Sequence, residues 1–478
     1  MALGACLRGF AWIAARARKP YASSDWDLAE MAHRGSTARG MAIVRGEDQQ
    51  VKERVRVVGF DCAEDEHVAV VLDKDGAFEE RVKVVNRRDQ VQDALAELML
   101  RVGPEAQLVV VVESKRSHGR VVSDVARQLG CEVWQVNTVA LNHFRDVEGQ
   151  PRKDDEWDAY LAGRMVYLRL RGCRVVTEVD EEERALSRLT RAYERLREDR
   201  TRQTMRLRAV LLELAPEMLH RSWQGPQPES KAMVYLLQRW PGFEGMERAQ
   251  LRSIEKILHR CRYGGKATEV AILLREAARR ISVAAEERTA ITLEMSLLVQ
   301  QMAVCDASLD RLFEEIQHRV EKHPVGLKLL EVHGVGPVIA GTLVSELLPV
   351  ARTATEAQCA TYAGVTPIGR KSGKSRDTSD LARGVNKRIL HALYTSAVVA
   401  VKHSAVDRAY YRKKLGDYAG HPKPHVAAFI ALSRQRHKLI FKLMTTDARY
   451  DKEVLISRHL ERLEAARGAV RSPKCRAT

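Results

Sequence analysis

Residues 108–114 read LVVVVES. A nearly unbroken apolar run, rich in β-branched residues and halted by a carboxylate, is the pattern of a strand buried on both faces of a sheet. Upstream lies an amphipathic helix over Asp89–Arg101, preceded by three β-branched runs at Arg56–Cys62, His67–Asp73 and Phe78–Val85. The turn residues Asp73–Gly76 predict a hairpin between the last two runs. Downstream come a helix near Arg120–Leu129, a strand at Glu132–Val136 and a helix from Asp155 to Leu168. The order βββαβαβα predicts an α/β domain.

Carboxylates punctuate this domain at its element ends. Asp61 closes the first strand in VVGFDCA, Glu113 closes LVVVVE, and Asp155 and Asp158 stand in KDDEWDA at a helix start. Acids at the C-terminal ends of neighbouring parallel strands lie side by side, and a spacing of three puts Asp155 and Asp158 on one helical face. Asp154 competes with Asp155 but lacks that register with Asp158. Four carboxylates at one edge raise one another's pKa values unless a cation joins them. Mg²⁺, or Mn²⁺ in its place, accepts a few carboxylates and keeps positions for phosphate oxygens and water, so the set points to metal-assisted phosphoryl chemistry.

Beyond this domain the period changes. Leu186, Leu189, Tyr193, Leu196, Arg200, Gln203, Leu207, Val210 and Leu214 alternate spacings of three and four, as in a coiled-coil seam interrupted by two polar residues. A second seam runs from Ile291 to Ile316 and ends before Pro324, and the two can pack antiparallel as a helical arm. Packing within one chain and self-association both explain such a stripe. From Val325 to Met444 the pattern is again mostly helical with Gly-rich breaks. The expected boundaries are a loosely ordered extension at 1–50, the acidic α/β domain at 51–175, the arm at 176–324, a basic domain at 325–445 and a charged helix and tail at 446–478.

Two motifs mark the basic domain. LLEVHGVGPVIAGTLVSEL, residues 329–347, reads as two helices joined at Gly334 and Gly336, resembling a helix-hairpin-helix whose backbone N–H groups can meet a phosphate. Then YAGVTPIGRKSGKSRDTSDLARGVNKR, residues 362–388, places Ser372 beside Gly373 and among Arg370, Lys371, Lys374 and Arg376. A hydroxyl in a cationic, Gly-rich loop can bind phosphate or, once activated, attack it. Ser375 competes for that role.

Charge supports a polyanionic partner. Among 478 residues, 79 are Lys or Arg and 63 Asp or Glu, a formal net charge of +16. Such an excess is drawn to nucleic acid through counterion release. The eight cysteines form no closely spaced pair of the kind a zinc site uses, and reduced thiols in the cytoplasm are expected. The uncharged run Gly9–Ala15 is too short to cross a bilayer, and no membrane association is expected.

The four acids, the helical arm, HGVGPVIAGTL and YAGVTP…SGKS together resemble the DEDD insertion-sequence transposases, a group that includes pilin-gene-inverting recombinases. The resemblance spans about Val55–Met444. It implies a RuvC-like, RNase H-fold domain holding Mg²⁺ on Asp61, Glu113, Asp155 and Asp158, and a mostly helical transposase domain in which Ser372 attacks DNA covalently. It also implies a structured guide RNA from the same element, double-stranded donor and target DNA, and dimers that join as tetramers. Where the family usually shows a small residue, Thr and Gly after the glutamate, this chain has Ser114, Lys115 and Arg116. A water-using structure-specific nuclease and an inactive nucleic-acid-binding regulator are the competing expectations.

Overall fold

A computed structural model describes residues 55–103, 106–113, 117–148, 154–170, 172–176, 180–263, 266–370, 378–381 and 385–451. The expected extension at 1–50, the Ser114–Arg116 departure and most of the charged tail lie outside these residues.

The chain begins with strands β1 (Val55–Asp61), β2 (Glu66–Leu72) and β3 (Phe78–Val85), then helix α1 (Arg88–Val102), β4 (Gln107–Val112), α2 (Arg120–Gln128) and β5 (Glu132–Val136). These elements match the sequence reading to within a residue or so at each end. Two more elements follow β5 that the reading omits, α3 (Thr138–Val147) and, after α4 (Asp155–Tyr167), the short strand β6 (Cys173–Val175). Asn137 starts α3 by accepting the N–H groups of Val139 and Ala140, a capping signal present in the sequence. β6 has only three residues, too few for period-two alternation to show.

The strands form one mixed sheet in the order β3-β2-β1-β4-β5-β6. β1 is antiparallel to β2 and parallel to β4, and β4 is parallel to β5. Alternation sorts the side chains of β4. Leu108, Val110 and Val112 join Val91, Leu95 and Val125 of α1 and α2 on one face. Val109 and Val111 join Leu141 of α3 and Leu161 and Met165 of α4 on the other. Both faces are therefore covered, which is why this strand is apolar from Leu108 to Val112.

A helix of 34 residues, α5 (Glu181–Leu214), follows. The chain then makes α6 (Lys231–Arg239), α7 (Leu251–Arg260) and α8 (Ala267–Arg280), a helical insert that the sequence reading counts within the arm at 176–324 without placing its helices, before the 38-residue α9 (Ala285–Lys322). α5 and α9 pack along each other. The polar interruption of the seam is a buried ion pair, in which Arg200 Nε donates to Asp306 Oδ1 at 2.8 Å. The helical hairpin follows as α10 (Pro324–Leu330) and α11 (Pro337–Glu346), with Gly334 at φ 79° between them.

Next come α12 (Leu348–Ala351) and α13 (Glu356–Tyr362). A two-stranded ribbon, β7 (Pro367–Arg370) with β8 (Thr378–Leu381), stands where the sequence reading expects only Gly-rich breaks between helices. Helices α14 (Lys387–His403), α15 (Ala405–Asp417) and α16 (Pro424–Thr445) complete the described chain. Its contacts divide it into two compact bodies. Among the described residues, one joins those of 55–176 with those of 347–447, the other those of 180–346 with 448–451. Among the described residues no single helix is long and apolar enough to cross a membrane.

Candidate active site

The acidic edge is built by register and by two glycines. β1 and β4 run parallel with Phe60 opposite Val112, so Asp61 and Glu113 leave the sheet side by side. α4 reaches the same edge because it lies directly on β1. A Cβ built on Gly59 would stand 2.0 Å from the Ala159 carbonyl oxygen and 2.8 Å from the Gly163 nitrogen. Only glycine allows this backbone approach, and it sets the first turn of α4 beside the end of β1.

The N-cap and first turn of α4 carry four acids, of which Glu156 pairs with Arg81 and the other three do different work. Asp154 is the N-cap, its Oδ1 accepting the Glu156 N–H at 3.1 Å. Asp155 shares a side-chain hydrogen bond with Asp61. Asp158 is buried and accepts a hydrogen bond from Arg145 Nη2 on α3. The Arg145 Nη1 donates to Asn142 Oδ1 at 3.1 Å.

Electrostatics register the crowding. Burial, then the charges of Asp155, Asp158 and Glu113, push the Asp61 carboxyl from 3.8 to about 6. Burial, with Asp61 and Glu113 adding to it, pushes the Cys62 thiol up to about 12, so it stays neutral. Among the described residues no three His, Cys, Asp or Glu side chains stand as a ready metal shell. Arg145 holds Asp158 instead.

The edge connects to the segment that carries Ser372. Gln135 Nε2 donates to the Glu113 carbonyl at 3.2 Å, and its Oε1 accepts from Arg174 Nη2 at 2.9 Å. Arg174 Nη1 donates to the Tyr362 hydroxyl at 2.9 Å, with the guanidinium carbon 5.3 Å from the ring centroid. Asn386 Nδ2 also donates to that hydroxyl at 3.0 Å, and the Asn386 N–H donates to the Tyr362 carbonyl at 2.8 Å. Tyr362 and Asn386 thus pin both stems of the segment containing β7 and β8. Gln135 and Arg174 are single polar residues outside any motif, and although Tyr362 and Asn386 stand near the two ends of the 362–388 stretch, nothing in its spacing assigns them this role.

Ser372 itself, with Lys371, Gly373, Lys374, Ser375 and Arg376, lies in the β7–β8 connection outside the described residues. Arg370 ends β7. In the other body, Gly334 takes a left-handed conformation at the hairpin, whereas a Cβ at Gly336 would meet nothing within 4 Å. The preceding His333 ring nitrogen Nδ1 lies 2.9 Å from the Tyr450 hydroxyl.

Comparison with known proteins converges on this arrangement. A family model described as Transposase, of the DEDD IS110 type, matches residues 58–216, which include all four acids. A second, described as Transposase IS116/IS110/IS902 family, matches residues 327–412, which include the hairpin and Ser372. The insertion element IS110 uncharacterized 43.6 kDa protein of Streptomyces coelicolor is 26% identical over 357 residues, covering 72% of this chain and 83% of the relative. The insertion element IS116 uncharacterized 44.8 kDa protein of Streptomyces clavuligerus is 24% identical over 387 residues, covering 81% and 94%. The two family models, in sequence order, together with these relatives, make the chain a transposase of the IS110/IS116 family.

Proposed function

We propose that this transposase cuts and rejoins DNA strands by covalent serine catalysis, guided by a structured RNA of its own element. The observation that supports the reading is the crowding of Asp61, which burial and the charges of Asp155, Asp158 and Glu113 push up to about 6 while Arg145 engages Asp158. Such a donor set is costly alone and suits a divalent cation. The strand order of three antiparallel strands followed by two parallel ones agrees with a RuvC-like domain.

Asp61, Glu113, Asp155 and Asp158 would hold Mg²⁺ or Mn²⁺. When bound, the ion supplies a Lewis acid for a phosphodiester oxygen. The Ser372 hydroxyl attacks phosphorus, the new Oγ–P bond replaces the bond to the departing strand, and that strand's oxygen leaves with a proton. A hydroxyl of the recipient strand then attacks the phosphoserine and releases Ser372, so no external energy source is consumed. Arg370, Lys371, Lys374 and Arg376 would take up charge on the phosphate, and the Gly334–Gly336 hairpin would hold the duplex backbone.

Assembly through the arm fits the exposed apolar residues Leu293, Leu297 and Val304 of α9, which repeat at helical spacing. Paired arms would give dimers, and two dimers a tetramer bringing donor and target together. The guide RNA rests on the family resemblance alone, and the net charge of +16 is compatible with it.

Trapping of a protein–DNA adduct tests the reading, using full-length protein, Mg²⁺, the element's noncoding RNA and element-end DNA. An adduct formed by wild type and lost in both Ser372→Ala and Asp61→Ala is the expected result. Cleavage that survives Ser372→Ala would identify a water-using nuclease, and inactivity with verified RNA and DNA would identify a binding regulator.

A further inference from the structure

The helical insert between α5 and α9 has an exposed face made of residues outside the acidic edge and the Ser372 segment. α6 buries Met233, Leu236, Leu237 and the flanking Trp240, and α7 buries Ile254 and Leu258, in the core these helices share with α5 and α9. Burying those residues fixes what the two helices expose. On α6 the exposed residues are Lys231, Tyr235, Gln238 and Arg239, and on α7 they are Arg252, Ser253, Lys256, His259 and Arg260. No carboxylate is among them, and Glu255, the one acid in either helix, is half-buried.

The two helices pack on each other, and their exposed residues meet. The Arg260 guanidinium carbon lies 5.2 Å from the centroid of the Tyr235 ring, which is 38% exposed. An aromatic ring in contact with a guanidinium plane is a stacking surface for an unpaired base. Arg252, Lys256 and Arg260 follow at intervals of four on α7, about 6 Å apart along the axis, as a row of cations beside that surface.

We infer that the α6–α7 face binds a single-stranded nucleic acid segment, with one base stacked on the Tyr235–Arg260 pair and the phosphates along Arg252 and Lys256. Charge complementarity selects a polyanion, and the exposed ring selects unpaired over paired bases. None of these residues belongs to the acidic edge or to the Ser372 segment, so this binding stands or falls apart from strand transfer. RNA and DNA strands offer the same phosphate and base chemistry.

The test uses full-length protein and fluorescence anisotropy over a KCl series with three probes, a labelled oligouridine, an oligothymidine of equal length and a duplex. Tyr235→Ala should weaken single-strand binding about tenfold, with Tyr235→Phe restoring it and the duplex affected little. Reversing Arg252, Lys256 and Arg260 to Glu should flatten the salt dependence by about 1.4 in slope, roughly 0.7 for each of the two phosphates no longer neutralised. A matched reversal of the exposed Arg184, Arg188 and Arg195 on α5 changes the net charge equally and should do much less. Preference for oligouridine would name RNA as the strand, preference for oligothymidine DNA, and either supports the site. Equal losses in the two charge-reversed proteins, or unchanged binding in Tyr235→Ala with an unchanged melting temperature, would overturn it.

Discussion

Gly59 and Ala159 are in backbone contact across the β1–α4 junction, so close that a methyl group on Gly59 would fall 2.0 Å from the Ala159 carbonyl oxygen. The approach decides where Asp155 and Asp158 sit relative to Asp61. Gly59→Ala must push α4 outward, and overpacking a tight junction costs about 1–3 kcal/mol. Urea unfolding should show that loss, and divalent-metal affinity should fall with it. A variant with full stability and unchanged metal affinity would show that the junction is not what aligns the acids.

The Asp61 carboxyl, at about 6 instead of 3.8, gives the metal-free protein a pH signature. A carboxyl raised on folding favours the folded state while protonated, so its contribution is complete below about 3.8 and is lost as pH rises through about 6. The melting temperature of Asp61→Asn should therefore gain on wild type as pH rises from about 4 to about 7. Saturating Mg²⁺ should shrink that gap at neutral pH. A gap independent of pH would mean that Asp61 feels no crowding.

Arg145 engages Asp158 through side chains that are only 14% and 9% exposed. The guanidinium neutralises one of the four acids and opposes a second cation. Arg145→Gln should tighten Mn²⁺ binding by about a hundredfold or more, since a like charge a few ångströms away at an effective dielectric near 20 opposes a cation by about 3–4 kcal/mol. Titration calorimetry reads this without any activity assay. Weaker binding in the variant would instead make Arg145 an organiser of the acid cluster.

Tyr362 receives hydrogen bonds from Arg174 and Asn386 through one hydroxyl. Tyr362→Phe keeps the ring beneath the Arg174 guanidinium and removes only that junction. Adduct formation should slow about tenfold, the order of one or two missing hydrogen bonds, while the melting temperature changes little. Equal loss of rate and stability would assign Tyr362 to general packing.

Arg200 and Asp306 join the long helices of the arm through a largely buried pair, 10% and 23% exposed at the side chains. Arg200→Met strands the carboxylate and should cost about 2–4 kcal/mol, while adding Asp306→Leu should recover most of it. Thermal unfolding of the single and double variants checks the coupling. Additive losses would mean the pair contributes register rather than energy.

Much of this is legible in the sequence. The apolar run before Glu113, the acids at element ends and the alternating three-four seams specify a buried strand, an acidic sheet edge and two long helices, because burial imposes period two on strands and about 3.6 on helices. The ribbon of β7 and β8 is not legible. Its two four-residue strands are too short for a period, and the sequence around them is dominated by Gly and charge. The same holds for the insert, whose short helices share one core contributed by segments far apart in sequence.

The sequence alone determined which elements form and which residue types are available for chemistry, since propensity and burial pattern are local properties of the chain. Only the tertiary structure decided that Asp61 stands against Asp155, that Arg145 occupies Asp158, and that Tyr362 and Asn386 join the stems of the Ser372 segment, with Arg174 and Gln135 linking Tyr362 to the Glu113 strand. These depend on distances between residues far apart in sequence. Such distances are set by close packing, here above all by two glycines that let a helix lie against a strand.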